Sequence, residues 1–306
     1  MRVGETRYLS LNNALKKRYG KKVFKVSLDA NFTCPNKDGT KGVGGCIFCS
    51  PSGSGDFAGN ALTSLKTQYQ TVKANMLKKW PDALTIPYFQ ANTNTYADVE
   101  TLRTLFYTAI NLDKSIVGLA IATRCDALDE ATVDLLAELN QHVDVSVELG
   151  LQTIHEPTAK RLNRAHSTDC VQDAVTRLHS RGIETVIHII NGLPHESEAM
   201  MLDTAKYVNR LGVQGIKIHM LHIMKNTALG AMYQQKPFEL LTLEQYANIV
   251  VKQIALLNPN MVIHRLTGDS PKDTLIAPTW TLKKFVVLNT IDALLKRHNI
   301  VQGCHL

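Results

Sequence analysis

Three of the six cysteines lie in one short segment, and their spacing is the strongest chemical signal in the sequence. Eleven residues separate Cys34 from Cys46, and two separate Cys46 from Cys49. Clustered thiols in a chain of 306 residues indicate metal or redox chemistry rather than the disulfide framework of a small secreted protein. The other cysteines are scattered, at Cys125, Cys170 and Cys304.

The segment between these cysteines is rich in glycine, at Gly39, Gly42, Gly44 and Gly45. Glycine gives a loop the backbone freedom to wrap around a bulky object. Thiolates are the usual ligands of iron–sulfur clusters, and three of them leave one iron of a four-iron cluster open. An open iron could chelate the amino and carboxylate groups of S-adenosylmethionine (SAM). Electron transfer would then cleave the sulfonium and give a 5′-deoxyadenosyl radical, so that the cofactor carries the difficult chemistry.

A structural zinc site is the alternative interpretation of the same loop. Zinc usually takes four ligands in a closed tetrahedral site, and no histidine or fourth cysteine follows Cys49 at short spacing. Ligands from distant parts of the chain would complete such a site, so the loop alone leaves this alternative open.

The composition is that of an ordinary globular chain with a basic balance. The net charge is +7 and the pI is near 9.0, which is compatible with a polyanionic partner. The amino terminus lacks the apolar run of a secretory signal, and no run of about 18 apolar residues indicates a membrane span. We therefore expect a cytoplasmic protein. The densest basic stretch is either a solvated face or a phosphate-facing edge, and it comprises Lys16, Lys17, Arg18, Lys21, Lys22 and Lys25.

Short β-branched segments alternate with amphipathic helical patterns along most of the chain. Such alternation predicts an α/β fold of parallel strands joined by right-handed crossovers, and six units make an incomplete barrel. Strands are predicted at Val23–Leu28, Ile86–Gln90, Val117–Ala122, Val143–Leu149, Thr185–Ile190 and Gly215–Leu221. Helices are predicted between them at Thr63–Lys79, Val99–Asn111, Glu130–Asn140, Thr168–Ser180 and Ser197–Leu211, with two more in a tail at about Leu243–Leu257 and Leu282–Arg297.

Five further strings accompany the cysteine loop, in which Phe48 precedes the last cysteine; they span residues 88–96, 147–153, 188–194, 217–222 and 264–269. Together they resemble the YtqA/YhcC family of short radical SAM proteins. That family is related to the elongator-type and coproporphyrinogen-oxidase-type radical SAM enzymes. The resemblance covers most of the chain and implies an incomplete (β/α)6 TIM-like barrel with N- and C-terminal helical extensions. The implied boundaries are an extension at 1–22, the barrel at 23–230 and a helical extension at 231–306.

The resemblance also implies site residues. The [4Fe-4S] cluster would be held by Cys34, Cys46 and Cys49. SAM would be bound by Asn92, Thr93, Glu148, Gln152, Arg164, His188 and Asn191, with Arg164 offering its planar fork to the methionine carboxylate.

Each of these residues has a structural alternative. Glu148 and Gln152 would then satisfy hydrogen bonds at a strand end, Arg164 would be a solvated helix residue, and His188 a buried structural histidine. The chain departs from its relatives at Ala165, which stands where many have glycine, and at Cys125, which stands in place of a proline.

Members of the resembled family include the MnmL-type enzyme of the tRNA wobble uridine, which converts 5-carboxymethylaminomethyl(-2-thio)uridine to 5-aminomethyl(-2-thio)uridine. The implied reaction begins with hydrogen abstraction at the glycine-like Cα. It continues through oxidation to an imine and ends with hydrolysis to the amine and glyoxylate. This chemistry needs a cation near the carboxylate, for which the candidates are Lys217, His219, His222, Lys225 and Arg265. Surface charge or ordinary tail contacts are the alternative for each.

The implied partners are the tRNA anticodon stem-loop and an external electron donor such as flavodoxin or ferredoxin. Two other functions stay open at this point. One is a radical SAM enzyme that acts on a protein or a small molecule, and the other is a metal-stabilised RNA-binding module without catalysis.

Overall fold

The computed structural model describes residues 6–53, 55 and 58–306. Its strands are β1 (Val23–Leu28), β2 (Leu84–Phe89), β3 (Gly118–Thr123), β4 (Asp144–Gln152), β5 (Glu184–Asn191), β6 (Gly215–Met220), β7 (Ile223–Met224), β8 (Val262–Arg265) and β9 (Leu275–Ala277). Seven of them form one parallel sheet in the order β1-β2-β3-β4-β5-β6-β8, while β7 and β9 pair antiparallel. The curled parallel sheet is an incomplete barrel of the α/β class, which confirms the predicted fold class.

Most of the helices connect successive strands, while one precedes the first strand and one follows the last. They are α1 (Leu11–Tyr19), α2 (Leu65–Leu77), α3 (Val99–Ile110), α4 (Glu130–Leu139), α5 (Glu156–Arg161), α6 (Thr168–Ser180), α7 (Glu198–Arg210), α8 (Ala228–Gln235), α9 (Leu243–Leu256) and α10 (Lys284–Arg297). Side chains fix where several of them begin. Asp98, Ser167 and Ser197, for example, each accept a hydrogen bond from a backbone N–H of the first turn. Among the described residues, no helix combines the length and hydropathy that a membrane span requires.

Successive side chains of a strand point to opposite faces of the sheet, so they face the helices and the barrel interior in turn. In β5, Ile187 and Ile189 are buried in the core between sheet and helices, while His188 lies on the opposite face. In β4, Val147 and Leu149 belong to the same core, and Glu148 faces inward. The barrel interior is therefore lined by the polar members of strands whose other faces are apolar.

All six predicted strands are present, but the sheet has a seventh strand that the sequence did not predict. Strand β8 lies in the segment predicted as a helical tail and pairs with β6, with Gly215 opposite Val262. The predicted tail helices are α9 and α10. The division at residues 22 and 230 stays a prediction, and residues 1–5 of its first part lie outside the described residues.

The amino-terminal end of the barrel is closed by α1. Leu15 and Tyr19 of this helix pack with Val23 and Ile86 in a small apolar cluster. Just before α1, the Ile263 N–H donates a hydrogen bond of 2.8 Å to the Leu9 carbonyl. The segment that leads into α1 thus covers the edge of β8.

Candidate active site

The inward faces of the strands and the loops at their carboxyl ends surround a cavity of about 810 Å³. Its size is that of a pocket for a cofactor or small molecule. Among the described residues that line it, eight are lysine or arginine and two are acidic. The cations are Lys22, Lys25, Lys37, Arg124, Arg164, Lys217, Arg265 and Lys284, and the acids are Glu148 and Asp269.

Two asparagines hold the cysteine loop against the rest of the barrel. The Asn36 side-chain amide donates to the Asn163 carbonyl at 2.6 Å and to the Cys46 sulfur at 3.6 Å. In return, the Asn163 amide donates to the carbonyls of Val43 at 3.0 Å and Gly45 at 2.8 Å. The loop is therefore fixed by side-chain to backbone bonds across 118 to 127 residues of sequence. Neither asparagine was predicted from the sequence, because an Asn gives no signal of this role by itself.

The three predicted cluster ligands, Cys34, Cys46 and Cys49, all line the cavity. A hydrogen bond with Cys49 and burial raise the pKa of the Cys46 thiol, and the nearby Arg124 opposes this effect. Within the part of the chain that is described, no three His, Cys, Asp or Glu side chains are close enough to hold a single metal ion. An iron–sulfur cluster is larger and takes thiolates at separate irons, so three thiols facing one cavity fit its ligand chemistry.

Arg124 is a cation beside the cysteines that was not predicted from the sequence as a site residue. Its guanidinium pairs with Asp126 at 2.8 Å and donates to the Arg164 carbonyl at 2.9 Å. It lies near enough to Cys34 and Cys46 for the charges to interact. Its position directly after β3, at the mouth of the barrel, is the signal that could have identified it.

Two predicted SAM contacts, Asn92 and Gln152, sit in left-handed backbone conformations at the ends of their strands, with φ of 59° and 62°. Asn tolerates this conformation, but it is strained for Gln, and strain of this kind concentrates at functional sites. The Gln152 Oε1 atom is buried without a hydrogen-bond partner in the described structure. Gly150 makes room for this side chain, because a Cβ at position 150 would lie 2.7 Å from Gln152 Nε2. The adjacent Thr93 is buried and lines the same cavity.

Arg164 lies at the cavity wall, but its guanidinium already has protein partners. It donates to the carbonyls of Leu151 at 2.8 Å, Thr153 at 2.7 Å and His166 at 3.0 Å. With 1% of its surface exposed, it is not a solvated helix residue, which corrects that alternative. A methionine carboxylate would have to displace one of these carbonyls, so the predicted contact stays a prediction.

Asn191 is not brought to the cavity. It points from β5 toward the helices, where its amide exchanges two hydrogen bonds with Gln253 of α9, at 2.8 Å and 2.9 Å. Both side chains are buried. The polar atoms of Asn191 are therefore engaged in joining the sheet to α9, on the opposite face from its neighbour Ile190.

A buried ionic cluster lies between the two ends of the barrel. The Glu148 carboxylate, with a fully buried side chain, accepts from Lys25 at 2.6 Å, Lys217 at 2.5 Å, Tyr88 at 2.6 Å and His188 at 2.9 Å. Burial alone would raise the pKa of Glu148, but the ammonium groups of Lys217 and Lys25 hold it well below its usual range. Burial lowers the pKa of Lys217 to about 8, against the opposing effect of Glu148. Glu148 is thus the partner of both lysines and of His188, and a contact of Glu148 or His188 with SAM stays a prediction.

The predicted substrate residues Lys217, His219, His222 and Arg265 all line the cavity, whereas Lys225 is exposed outside it. Arg265 forms an ion pair with Asp269. Burial lowers the pKa of Arg265.

The basic stretch of residues 16–25 divides between two environments. Arg18 pairs with Asp144 at 2.5 Å and Glu184 at 2.6 Å at the partly exposed amino-terminal end of the barrel. Lys25 instead points into the interior. The stretch is therefore neither wholly a solvated face nor wholly one edge. Cys125, at the end of β3, is buried in the hydrophobic core, and Cys170 packs against that core.

The parallel half-barrel, with three thiols at the mouth of a cationic cavity, has the architecture of a radical SAM enzyme. The Radical SAM superfamily profile matches residues 39–208, and the Radical_SAM C-terminal domain profile matches residues 213–297. The chain belongs to the radical SAM superfamily, and its cofactors are a [4Fe-4S] cluster and SAM.

Relatives place the chain within a narrower group. The uncharacterized protein YtqA of Bacillus subtilis is 48% identical over 299 residues, which cover 98% of this chain and 92% of YtqA. Protein YhcC of Escherichia coli is 37% identical over 295 residues, which cover 95% of this chain and 93% of YhcC. The chain is therefore a member of the YtqA/YhcC family, as the sequence strings predicted.

More distant similarities extend to other proteins. The archaeal Elp3 of Methanocaldococcus infernus shares the fold, with a TM-score of 0.66 and 16% identity over 92% of this chain and 64% of that chain. A protein of Dehalococcoides mccartyi named tRNA uridine(34) acetyltransferase is 25% identical over 158 residues, which cover 51% of this chain and 34% of that protein.

Proposed function

We propose that this radical SAM enzyme acts on the wobble uridine of tRNA and converts 5-carboxymethylaminomethyl(-2-thio)uridine to 5-aminomethyl(-2-thio)uridine. Cys34, Cys46 and Cys49 would hold the cluster, with Asn92, Thr93 and Gln152 next to SAM. The proposal places the enzyme in the cytoplasm with flavodoxin or ferredoxin as electron donor.

The observation that carries this proposal is the excess of cations in the cavity. The whole chain has 34 basic and 27 acidic side chains, whereas the described cavity lining has eight and two. Lys25 and Lys217 share one carboxylate, so their cluster keeps a net positive charge out of bulk water. A buried positive charge is costly unless an anion compensates it. The carboxylate of a carboxymethylamino group is an anion of suitable size.

A bound [4Fe-4S] cluster and SAM supply reductive cleavage of the sulfonium and, from it, a carbon radical that abstracts hydrogen. The substrate loses a hydrogen atom from Cα of its carboxymethyl group, then one electron and one proton. Water adds to the resulting carbon–nitrogen double bond, which gives the primary amine and glyoxylate. The two electrons lost by the substrate are accepted overall in the conversion of SAM to methionine and 5′-deoxyadenosine.

The residues of this chain would orient the group that reacts. Lys25 and Lys217 would hold the carboxylate, because an ammonium group is a strong donor to it. Tyr88 and Glu148 would fix the two lysines, as the hydrogen bonds around Glu148 already do. His188 is kept neutral by burial and by the charge of Lys217, which both lower its pKa.

A tRNA substrate is supported by two further features. The net charge of +7 suits a polyanionic partner. The similarity to a tRNA uridine(34) acetyltransferase also connects the barrel with enzymes that modify this nucleoside.

The proposal is tested by mass spectrometry of wobble nucleosides from a strain that lacks the gene. We expect the carboxymethylaminomethyl form to accumulate and the aminomethyl form to be restored by the wild-type gene. Lys217→Gln should restore it poorly, while the matched control Lys225→Gln, an exposed lysine outside the cavity, should restore it fully. An unchanged nucleoside profile in the deletion strain would reject the tRNA reaction.

A second experiment asks whether the RNA stimulates the chemistry. Anaerobically reconstituted enzyme should form 5′-deoxyadenosine faster with bulk tRNA from the deletion strain than with tRNA from the parent strain. Equal rates with both would favour a protein or small-molecule substrate for the same barrel.

A further inference from the structure

Asn36 is a buried polar side chain within the cysteine loop, two residues after Cys34. None of its surface is exposed, whereas most of the loop between Cys34 and Cys49 is partly or fully exposed. An amide nitrogen has two hydrogens to donate. Both have an acceptor here, because the nitrogen lies 2.6 Å from the Asn163 carbonyl and 3.6 Å from the Cys46 sulfur.

The amide oxygen of Asn36, in contrast, is buried without a hydrogen-bond partner in the described structure. Rotating the amide by half a turn would not help this oxygen. It would then face the Asn163 carbonyl, which has no hydrogen to donate, and a sulfur that is an acceptor when it binds iron. The two acceptors therefore fix the orientation of the amide, although an unpaired buried oxygen is unfavourable.

Gly42 leaves the space that this side chain occupies. A Cβ at position 42 would lie 2.1 Å from Asn36 Oδ1 and 3.3 Å from Asn36 Cγ. Gly42 does not have a positive φ, so its backbone conformation does not itself require glycine. The packing of Asn36 against the loop accounts for a glycine at this position.

A hydrogen bond to a cluster sulfur favours the reduced state of an iron–sulfur cluster. A thiolate that binds iron carries negative charge, and reduction adds one more electron to the cluster. An N–H that donates to this sulfur stabilises the added charge and raises the reduction potential. Burial strengthens the effect, because little water is present to screen it.

Arg124 also lies near Cys46, but its charge is largely balanced by Asp126. The guanidinium donates to the two oxygens of that carboxylate at 2.9 Å and 2.8 Å. Asn36 contacts the sulfur itself, and no counter-charge cancels the effect of its amide.

We infer that Asn36 is a positioning residue that raises the reduction potential of the cluster by donating a hydrogen bond to the sulfur of Cys46. The electron that cleaves SAM then enters the cluster more readily. The inference rests on the part of the proposed function in which Cys46 is a cluster ligand, and it does not depend on the tRNA reaction.

The test is a redox titration of the anaerobically reconstituted protein, followed by electron paramagnetic resonance of the reduced cluster. Asn36→Leu keeps the size of the side chain but removes both N–H donors. Its equilibrium constant for one-electron reduction should fall about tenfold, which lowers the midpoint potential by about 59 mV. Gly42→Ala keeps every donor but displaces the amide, so its potential should fall as well. Iron content shows that each variant holds a cluster.

Asn163→Gly is the matched control. Glycine suits the φ of 54° at this position, and the backbone carbonyl that accepts from Asn36 is retained. The substitution removes only the side-chain amide that donates to the carbonyls of Val43 and Gly45. It therefore loosens the loop without removing the hydrogen bond to the sulfur, and the midpoint potential should stay at the wild-type value.

Two results would overturn the inference. One is a wild-type potential in both Asn36→Leu and Gly42→Ala. The other is an equal fall in Asn163→Gly, because the shift would then follow from a looser loop. If Asn36→Leu holds no iron, Gly42→Ala decides by the same criteria.

The proposed function fails in different ways. Lowered potentials in the two variants, together with an unchanged nucleoside profile in the deletion strain, would support the inference and reject the tRNA reaction. A Cys46→Ala variant that keeps its four-iron cluster would reject Cys46 as a ligand and overturn the inference with it.

Discussion

The two ends of the barrel differ in how residues with left-handed backbone conformations lie relative to the cavity. At the amino-terminal end, glycines that follow helices adopt this conformation, such as Gly182 and Gly212. A Cβ there would contact nothing within 4 Å. At the carboxyl-terminal end, Asn92 and Gln152 adopt the same conformation, which is strained for Gln, and both side chains line the cavity. Gly182 and Gly212 therefore lie away from the described cavity, whereas at the other end this conformation places polar side chains beside it.

This difference agrees with a general rule for barrels. Catalytic residues lie at the carboxyl ends of the strands, and residues at the other end contribute to stability. The Glu148 cluster lies between the two ends and combines a structural role with a position at the cavity. It satisfies buried charges, as a structural element must, and it faces the cavity. Substitutions at the amino-terminal end, in the Glu148 cluster and at the carboxyl-terminal end should therefore affect stability and activity differently.

The largest effect on stability is expected in the Glu148 cluster, between the two ends of the barrel. Glu148→Gln removes the carboxylate that two buried ammonium groups share, and breaking a buried ionic cluster costs about 3 kcal/mol in the free energy of unfolding. Glu184→Gln is the control, because its pair with Arg18 is about half exposed and such pairs contribute less than about 1 kcal/mol. Urea denaturation measures both. Equal losses would mean that the interior cluster is not a special element of the fold.

A pair of glycine substitutions compares the two ends directly. Gly150→Ala would push the Gln152 amide, 2.7 Å from the new Cβ, out of its place and should raise the KM for SAM by about tenfold. Gly182→Ala, with φ of 69°, should cost about 1 kcal/mol of stability and leave that KM unchanged. The opposite pattern would reverse the assignment of the two ends.

The pH dependence of kcat/KM tests the role of Lys217 in the Glu148 cluster. Lys217, with its pKa of about 8, is protonated below that pH and neutral above it, so binding of a carboxylate should weaken as the pH rises. We expect kcat/KM for tRNA to fall by about tenfold between pH 7 and pH 9. In Lys217→Arg the fall should move to higher pH, since a guanidinium stays charged. An unshifted profile would assign the fall to another group.

The smallest effect is expected at the amino-terminal end. Tyr19→Phe removes the hydrogen bond from the Tyr19 hydroxyl to Asp144 and should cost about 1 kcal/mol. Formation of 5′-deoxyadenosine should not change at a temperature where the variant is folded. A marked loss of activity would show that α1 influences the site.

The fold was largely predictable because its strands carry strong local signals. Val23–Leu28 and Thr168–Ser180 were predicted with the bounds they have in the structure. Strand β8 was missed because it has four residues, two of them His264 and Arg265, and it becomes a strand only through pairing with β6. Tertiary context of this kind leaves no local pattern.

The residues that line the site were easier to predict than the hydrogen bonds and ion pairs between them. Cys34 was placed at the site by the cysteine motif, Gln152 by the family resemblance, and Lys217 by its position on the sixth predicted strand. Their partners come from distant strands, so Lys25 looked like one more member of a basic stretch, and Arg164 looked free to bind SAM. Which polar groups satisfy one another depends on packing across the barrel.

The central claim is that the three loop cysteines hold an iron–sulfur cluster that cleaves SAM. The most direct measurement is iron content and 5′-deoxyadenosine formation in anaerobically reconstituted protein. The wild type and Cys304→Ala, which changes an exposed cysteine, should hold about four irons per chain and form 5′-deoxyadenosine. The Cys34→Ala/Cys46→Ala/Cys49→Ala variant should do neither. A wild type without iron, or a triple variant that still forms the product, would contradict the account.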